Sequence, residues 1–413
     1  MATKPLLPLA QQPISPPKCD LLGMTLPELT QMVTEWGQPA YRGKQLVDWI
    51  YSSLVDDFAA MRTLPAALRE RLATEASIEG PHVQTELISK DTRTRKLLLR
   101  LADERLIESV LMLYPATSQS RARATVCVST QAGCAFGCTF CATGQMGFDR
   151  HLTPGEIVSQ VRHFARELKE RPWIAPDGQM VDRVSNLVFM GMGEPMHNYD
   201  NTLKAVRILN MAEGLQIGAR HMTISTVGVV PGILRLAEEP LQVNLAISLH
   251  APNNAMRLQT MPVTRKYPIE TVMDAVKQYI VRTNRQVTFE YVLLAGVNDQ
   301  PEHARELAAL LAPLKQLCHV NLIPVNKTAA NYKVPSGEAI RTFRELLREG
   351  GVSNSVRAER GDDIAAACGQ LSTREMRSRA AAALPSSASL PRPIVDERPQ
   401  DKDRRRGGRH ATA

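Results

Sequence analysis

No run of apolar residues in this chain approaches the length needed to cross a bilayer. The N-terminus lacks the charged start and apolar core of a secretory signal. Met1 to Lys18 is instead proline-rich, with a short Leu/Ala patch. Cysteine is scarce, at seven in 413 residues, too few and too clustered for a disulfide framework. A second cysteine pair, which a four-ligand zinc site would normally draw on, is missing. These absences argue against a helical membrane protein and a disulfide-stapled secreted fold. The expectation is a cytoplasmic monomer in a reducing compartment, with no membrane partner.

What is present suits a large core. Apolar residues make up 44% of the chain, enough for one large domain plus a smaller one. The net charge of +8 permits nucleic acid as a partner without requiring it. Residues 1–18 hold five prolines and read as a disordered leader. Residues 19–80 carry three helical patterns, Thr25–Trp36, Arg42–Leu54 and Pro65–Ala76, and read as a small helical accessory module. Residues 81–118 alternate with period two and read as a short antiparallel β-extension. From residue 119 to 371, six strand patterns alternate with six helical ones, which predicts a parallel sheet with helices outside, a partial barrel or an open doubly wound sheet. Residues 372–413 read as a short helix and a flexible basic tail. From Ala380 onward the tail holds seven Arg/Lys against four Asp/Glu.

The chemistry concentrates in Cys134-Ala135-Phe136-Gly137-Cys138-Thr139-Phe140-Cys141, directly after the first strand of the α/β series. Three thiolates on one tight loop can hold three corners of a [4Fe–4S] cluster, and the fourth iron is then open to a ligand. Zinc is the competing reading, with His151 or His163 as a fourth ligand, but neither has a spacing that suggests it. After the next strand comes Gly191-Met192-Gly193-Glu194-Pro195. Its glycines allow close backbone approach to a ligand, and Glu194 can complement an ammonium group. Read without further context, Cys127 is a buried strand cysteine, Cys368 a cysteine in a small-residue loop beside Gly369, and Glu108 a solvated strand residue.

The C-x3-C-x2-C loop with Phe140 before its last cysteine resembles the radical S-adenosylmethionine superfamily. Several further blocks narrow the resemblance to the RlmN/Cfr family of RNA adenine methyltransferases. They are Cys127–Cys134, Met190–Pro195, Ser248-Leu249-His250-Ala251-Pro252, Asn321-Leu322-Ile323-Pro324, Arg360–Leu371 and, in the N-terminal module, Gly37–Gln45. The likeness runs from about Asp20 to Leu371. One departure stands after Asn326, where Lys327-Thr328-Ala329-Ala330-Asn331 replaces a proline-rich N-P-x-P.

The resemblance implies a partial (β/α)6 barrel carrying a [4Fe–4S] cluster on Cys134, Cys138 and Cys141. It implies S-adenosylmethionine held by Phe140, Gly193, Glu194, Ser225, Ser248, Leu249, His250 and Asn326, with two equivalents used per turnover. It also implies that Cys368 carries a methyl group to C2 of an adenosine in 23S rRNA and in tRNA. Cys127 then resolves the protein–RNA thioether by forming a disulfide with Cys368, and Glu108 removes the C2 proton. An electron donor outside the chain is required. Arg42, Lys44, Lys90, Arg93, Arg95, Lys96, Arg121 and Arg123 are expected to face RNA phosphates. Two alternatives stay open: methylation at C8 of adenine, and an RNA-binding protein with a structural metal site and no chemistry.

Overall fold

The computed structural model describes residues 18–118, 120–326, 332–357, 360–367 and 369–371. The leader, the tail, the 327–331 departure and Cys368 lie outside the described residues.

The N-terminal module opens with α1, Leu26–Glu35. Thr25 and Glu28 cap it reciprocally, the Thr25 backbone N–H donating to Glu28 Oε2 at 2.8 Å. Helix α2 spans Tyr41–Val47, and α3 spans Ala66–Glu75. The predicted Arg42–Leu54 helix does not run straight through. At Asp48–Ser52 it widens into a π-turn. There the Ile50 carbonyl, which a continuing α-helix would use internally, accepts from the buried Arg162 Nε at 2.9 Å.

Arg162 belongs to α4, Pro154–Glu170, so one guanidinium fastens the module to the barrel. The salt bridge from Lys204 to Glu28 at 2.6 Å adds a second link. The described residues form one compact unit.

Ten strands form one sheet: β1 His82–Ile88, β2 Thr94–Arg100, β3 Leu106–Tyr114, β4 Arg123–Cys127, β5 Asn186–Phe189, β6 Met222–Thr226, β7 Asn244–Ser248, β8 Val287–Leu293, β9 Cys318–Pro324 and β10 Asn354–Val356. Their order across the sheet is their order in the chain. From β4 to β10 neighbours run parallel, and β1 to β3 join antiparallel at the β4 edge.

Each strand from β4 to β9 leads into a helix: α4, α5 Tyr199–Asn210, α6 Val230–Glu238, the pair α7 Asn254–Thr260 and α8 Ile269–Thr283, α9 Pro301–Leu311 and α10 Gly337–Glu349. That is the expected series of βα units in (β/α)6 order. Helix α4 shows why: Ile157, Val161, Phe164 and Leu168 recur every three or four residues and are all buried. Among the described residues no helix is long and apolar enough to cross a membrane.

Strand alternation corrects one expectation. Lys96 is 3% exposed, so it does not face RNA. On β2 it shares a face with Thr94 and Leu98, and the register sets Glu108 diagonally across from it on β3. The same register aligns Lys96 with Val110 and Val110 with Cys127, in one row across three strands.

Candidate active site

The cysteine loop follows β4 and is framed by a short hairpin pairing Gln131–Gly133 with Phe148–His151. The Cys134 N–H donates to Gly147 O at 2.8 Å. Gly133 has φ +74°, and a Cβ there would run into the Gly147 carbonyl oxygen, so this turn demands glycine. Cys138 is buried, and Cys134 and Cys141 are half-buried. Burial pushes the Cys134 thiol up to about 12, and burial together with the neighbouring thiols pushes Cys138 well above its ordinary value. Thiols raised this far do not ionise unaided; cationic iron is the kind of group that would deprotonate them. Among the described residues no three His, Cys, Asp or Glu side chains converge on one ion. The three cysteines instead rim a cavity. The donor set therefore fits a cluster with an open side.

The buried Arg257 on α7 stands beneath this loop. It donates to the carbonyls of Val227 at 2.6 Å, Leu249 at 3.1 Å, Tyr267 at 3.2 Å and Ser248 at 3.3 Å, and to Thr264 Oγ1 at 3.3 Å. Burial lowers its pKa to about 10, so it stays charged at neutral pH. It ties the ends of β6 and β7 together.

The remaining wall of the cavity comes from strand ends, as parallel α/β folds place their sites. Phe140 lies on the cysteine side and meets the His250 ring edge-on at 4.9 Å. Gly193 and Glu194 follow β5, Ser225 ends β6, Ser248 and His250 close β7, and Asn326 follows β9. Glu194 accepts from the N–H groups of Val227 at 2.8 Å and Met196 at 3.0 Å, yet burial still raises its pKa to about 7. Gly193 has φ +95°, and a Cβ would sit 2.8 Å from the Gln131 backbone nitrogen. His250 has φ +59° and accepts from the Val292 N–H at 3.0 Å, and burial drives its pKa down to about 3.

Leu249 is not brought to the cavity wall. Its side chain is fully buried, its N–H donates to Glu290 O and its carbonyl is held by Arg257. Sequence reasoning missed Glu290, which lines the cavity and accepts from Asn321 Nδ2 at 2.9 Å. Its signal was a lone carboxylate in the otherwise apolar run Val287–Leu293.

Cys127 lines a second cavity with Met112, Tyr114, Arg357 and Arg360. The Tyr114 ring is sandwiched between the guanidiniums of Arg123 at 4.4 Å and Arg360 at 4.3 Å. The two cavities share Met190, Ile323, Pro324 and Asn326. Ala367 lines the second cavity and Gly369 the first, so the residues flanking Cys368 reach both. Glu108 lines neither. It is fully buried on the Cys127 face of the sheet, with Oε1 3.2 Å from Lys96 Nζ.

Several of the cations expected to face RNA are engaged within the chain. Arg95 pairs with Glu167, Arg93 with Asp91 at 2.9 Å, and Arg42 donates to Gln45 and Thr63. Lys44 is 69% exposed and only 4.0 Å from Glu213.

Comparison with known proteins adds to this geometry. Residues 128–308 match the radical SAM superfamily, and residues 19–78 match the ribosomal RNA large subunit methyltransferase N-terminal domain. The chain is 48% identical over 390 residues to a probable dual-specificity RNA methyltransferase RlmN of Roseiflexus sp. (strain RS-1), covering 85% of this chain and 96% of that protein. It is 46% identical to the ribosomal RNA large subunit methyltransferase N of Nitrosopumilus maritimus, over 86% and 98% of the two chains. The crystal structure of a radical SAM methyltransferase from Sphaerobacter thermophilus superposes with a TM-score of 0.79 at 47% identity, over 86% of this chain and 99% of that one.

Proposed function

Because the chain belongs to the RlmN family of radical SAM RNA methyltransferases, we propose that it methylates C2 of an adenosine in 23S rRNA and in tRNA. The observation that carries this reading is the shared wall between the cysteine-rimmed cavity and the Cys127 cavity, with the residues flanking Cys368 on both. A [4Fe–4S] cluster on Cys134, Cys138 and Cys141, with S-adenosylmethionine bound, would supply one-electron cleavage and a carbon radical, using two S-adenosylmethionine molecules per turnover.

The chain's own residues would do the rest. Glu194 and the backbone around Gly193 receive the methionyl end of the ligand, and Phe140, edge-on to His250, packs near its adenine. Cys368 presents the methyl carbon to the base. The family resemblance assigns removal of the C2 proton to Glu108, which lies on the Cys127 face of the sheet but lines neither cavity. With the adduct's unpaired electron returned to the cluster, the Cys127 thiolate then attacks the Cys368 sulfur: the S–S bond forms, the S–C bond breaks, and its electron pair leaves with the carbon, which takes up a proton to become the product methyl. Arg360 and Arg123 on Tyr114 offer cations near the second cavity for phosphate. Residues 19–80 act as the RNA-gripping module. The protein works as a cytoplasmic monomer, reduced by a donor outside the chain.

The test is Cys127→Ala in the reconstituted enzyme with rRNA fragment and tRNA. A covalent protein–RNA species accumulates, whereas Cys368→Ala forms none. Free product without adduct from the Cys127 variant rejects the resolving role. A methyl group mapped to C8 rejects the C2 assignment. A protein that takes up no iron and never cleaves S-adenosylmethionine rejects the enzyme reading.

A further inference from the structure

Among the described residues, Lys96 and Glu108 form the ion pair whose two side chains are both closed off from solvent. Apolar side chains of similar volume would pack there without the cost of desolvating two charges, so stability does not account for the pair. The ammonium has another partner. While 3.2 Å from Glu108 Oε1, Lys96 Nζ donates to the Ala365 carbonyl at 2.9 Å. Ala365 is three residues before Cys368 and has φ +50°, a left-handed backbone that a non-glycine residue keeps only when its surroundings hold it.

The rest of the segment is docked on the same sheet edge. A Cβ on Gly361, at φ +68°, would come within 2.8 Å of Thr94 Cγ2, so backbone and strand β2 are in close contact. The Lys90 N–H donates to Asp363 Oδ2 at 2.8 Å. On the far side of Cys368, the Ala142 N–H donates to Gly369 O and Thr143 Oγ1 to Leu371 O, both at 2.8 Å. The segment is thus held by the cysteine loop at one end and by β2 and its turn at the other. Lys96 is the charged link, and its charge is matched by Glu108.

We propose that Lys96 is a positioning residue that couples the charge of Glu108 to the seating of the segment bearing Cys368. This rests on the reading that Cys368 carries the methyl group and Glu108 accepts the proton. With Glu108 ionised, the ammonium is compensated and holds Ala365 O. When a proton moves from the substrate carbon to Glu108, the C–H electron pair stays with the base and the carboxylate loses its charge. The ammonium is then a buried charge with no counter-charge in its pair, a state with a strong drive toward solvent. As it moves it withdraws its hydrogen bond from Ala365, and the segment is freed after the proton has gone. The device orders two events without a moving domain.

The experiment measures hydrogen–deuterium exchange of residues 361–371 in the full chain, with bound methyl on Cys368 read as +14 Da by mass. Glu108→Gln, which keeps the shape and removes the charge, is expected to raise exchange in the segment about tenfold. Lys96→Met is expected to raise it at least as much and to lower Cys368 methylation by a similar factor. Because Lys96→Met alone removes the cation beside a buried carboxylate, the double variant Lys96→Met/Glu108→Leu restores an apolar fit and is expected to fold while the segment still exchanges fast. Parent-like exchange in Glu108→Gln overturns the coupling, and parent-like exchange in the double variant overturns the clamp. The underlying reading fails separately: if the parent yields no methylated RNA while the exchange responds as described, the clamp stands and the reaction assignment falls.

Discussion

The two cavities are built by different means. The cysteine-rimmed cavity rests on main chain. Glu194 accepts from two backbone N–H groups, His250 from one, and Arg257 is spent on four carbonyls and a hydroxyl. Several of these bonds, those to Val227, Ser248 and Leu249, sit at strand ends of the parallel sheet, so the site is preorganised. The Cys127 cavity lies where the parallel sheet meets the antiparallel extension. One wall is strand interior, and the other is the 360–371 segment, tied to its surroundings partly through side chains such as Lys96 and Thr143 and braced internally by Gln370 Nε2 donating to Asp362 Oδ1 at 2.7 Å. A site that must hold one geometry uses backbone. The site beside it uses contacts that side chains can release.

The largest test of this contrast is removal of a cluster thiol. Cys138→Ala is expected to abolish iron uptake and cleavage of S-adenosylmethionine, checked by iron content and visible absorbance, while leaving the Cys127 cavity intact. Next comes Arg257→Met. It strands buried carbonyls from three loops, and a loss of about 3–5 kcal/mol is expected in urea denaturation. A smaller loss would mean the rigid half does not depend on its buried cation.

Glu194 sharpens the comparison through pH. Its folded pKa of about 7 lies above its ordinary 4.5, so between those values the folded chain binds more protons than the unfolded one. The stability this carboxyl contributes is fully present below 4.5 and is lost as pH rises through 7, a change on the order of 3 kcal/mol. In the cofactor-free protein, Glu194→Gln is expected to flatten denaturation midpoints across that window.

In the releasable half, Gly361→Ala is expected to cost about 1–2 kcal/mol. Its effect should appear as faster exchange confined to 361–371, with S-adenosylmethionine binding unchanged. The smallest effect belongs to Lys44→Ala. An exposed pair at 4.0 Å is worth less than about 0.5 kcal/mol. Stability should not move, while the salt dependence of RNA binding should lessen by roughly one charge.

The backbone-built half was largely legible in sequence because its residues come in contiguous motifs. Cys134–Cys141 and Gly191–Pro195 each sit on one loop, and the strand-helix alternation says where those loops point. The other half was legible only in parts. Cys127 and Cys368 could be named by resemblance, but Lys96 was taken for a phosphate contact, since one lysine in a basic run looks like its neighbours. Only the pairing of β2 with β3 turns it inward. Arg257 was missed for a related reason: its five oxygen partners come from residues scattered between Val227 and Tyr267, and no spacing announces them. Glu290 was visible in principle, as a charge inside an apolar strand.

The row Cys127–Val110–Lys96 makes the sheet a ruler. Neighbouring strands lie about 4.8 Å apart, so two steps set the Lys96 backbone roughly 10 Å from that of Cys127, whatever the loops do. The ruler is also protected against error. A slip of one residue between β2 and β3 would exchange Lys96 and Leu98 with the equally buried Leu97 and Leu99, leaving the ammonium buried on the face opposite Glu108. The extension is therefore a gauge whose misreading is self-announcing: a protein that folds at all folds with its charge at the right mark.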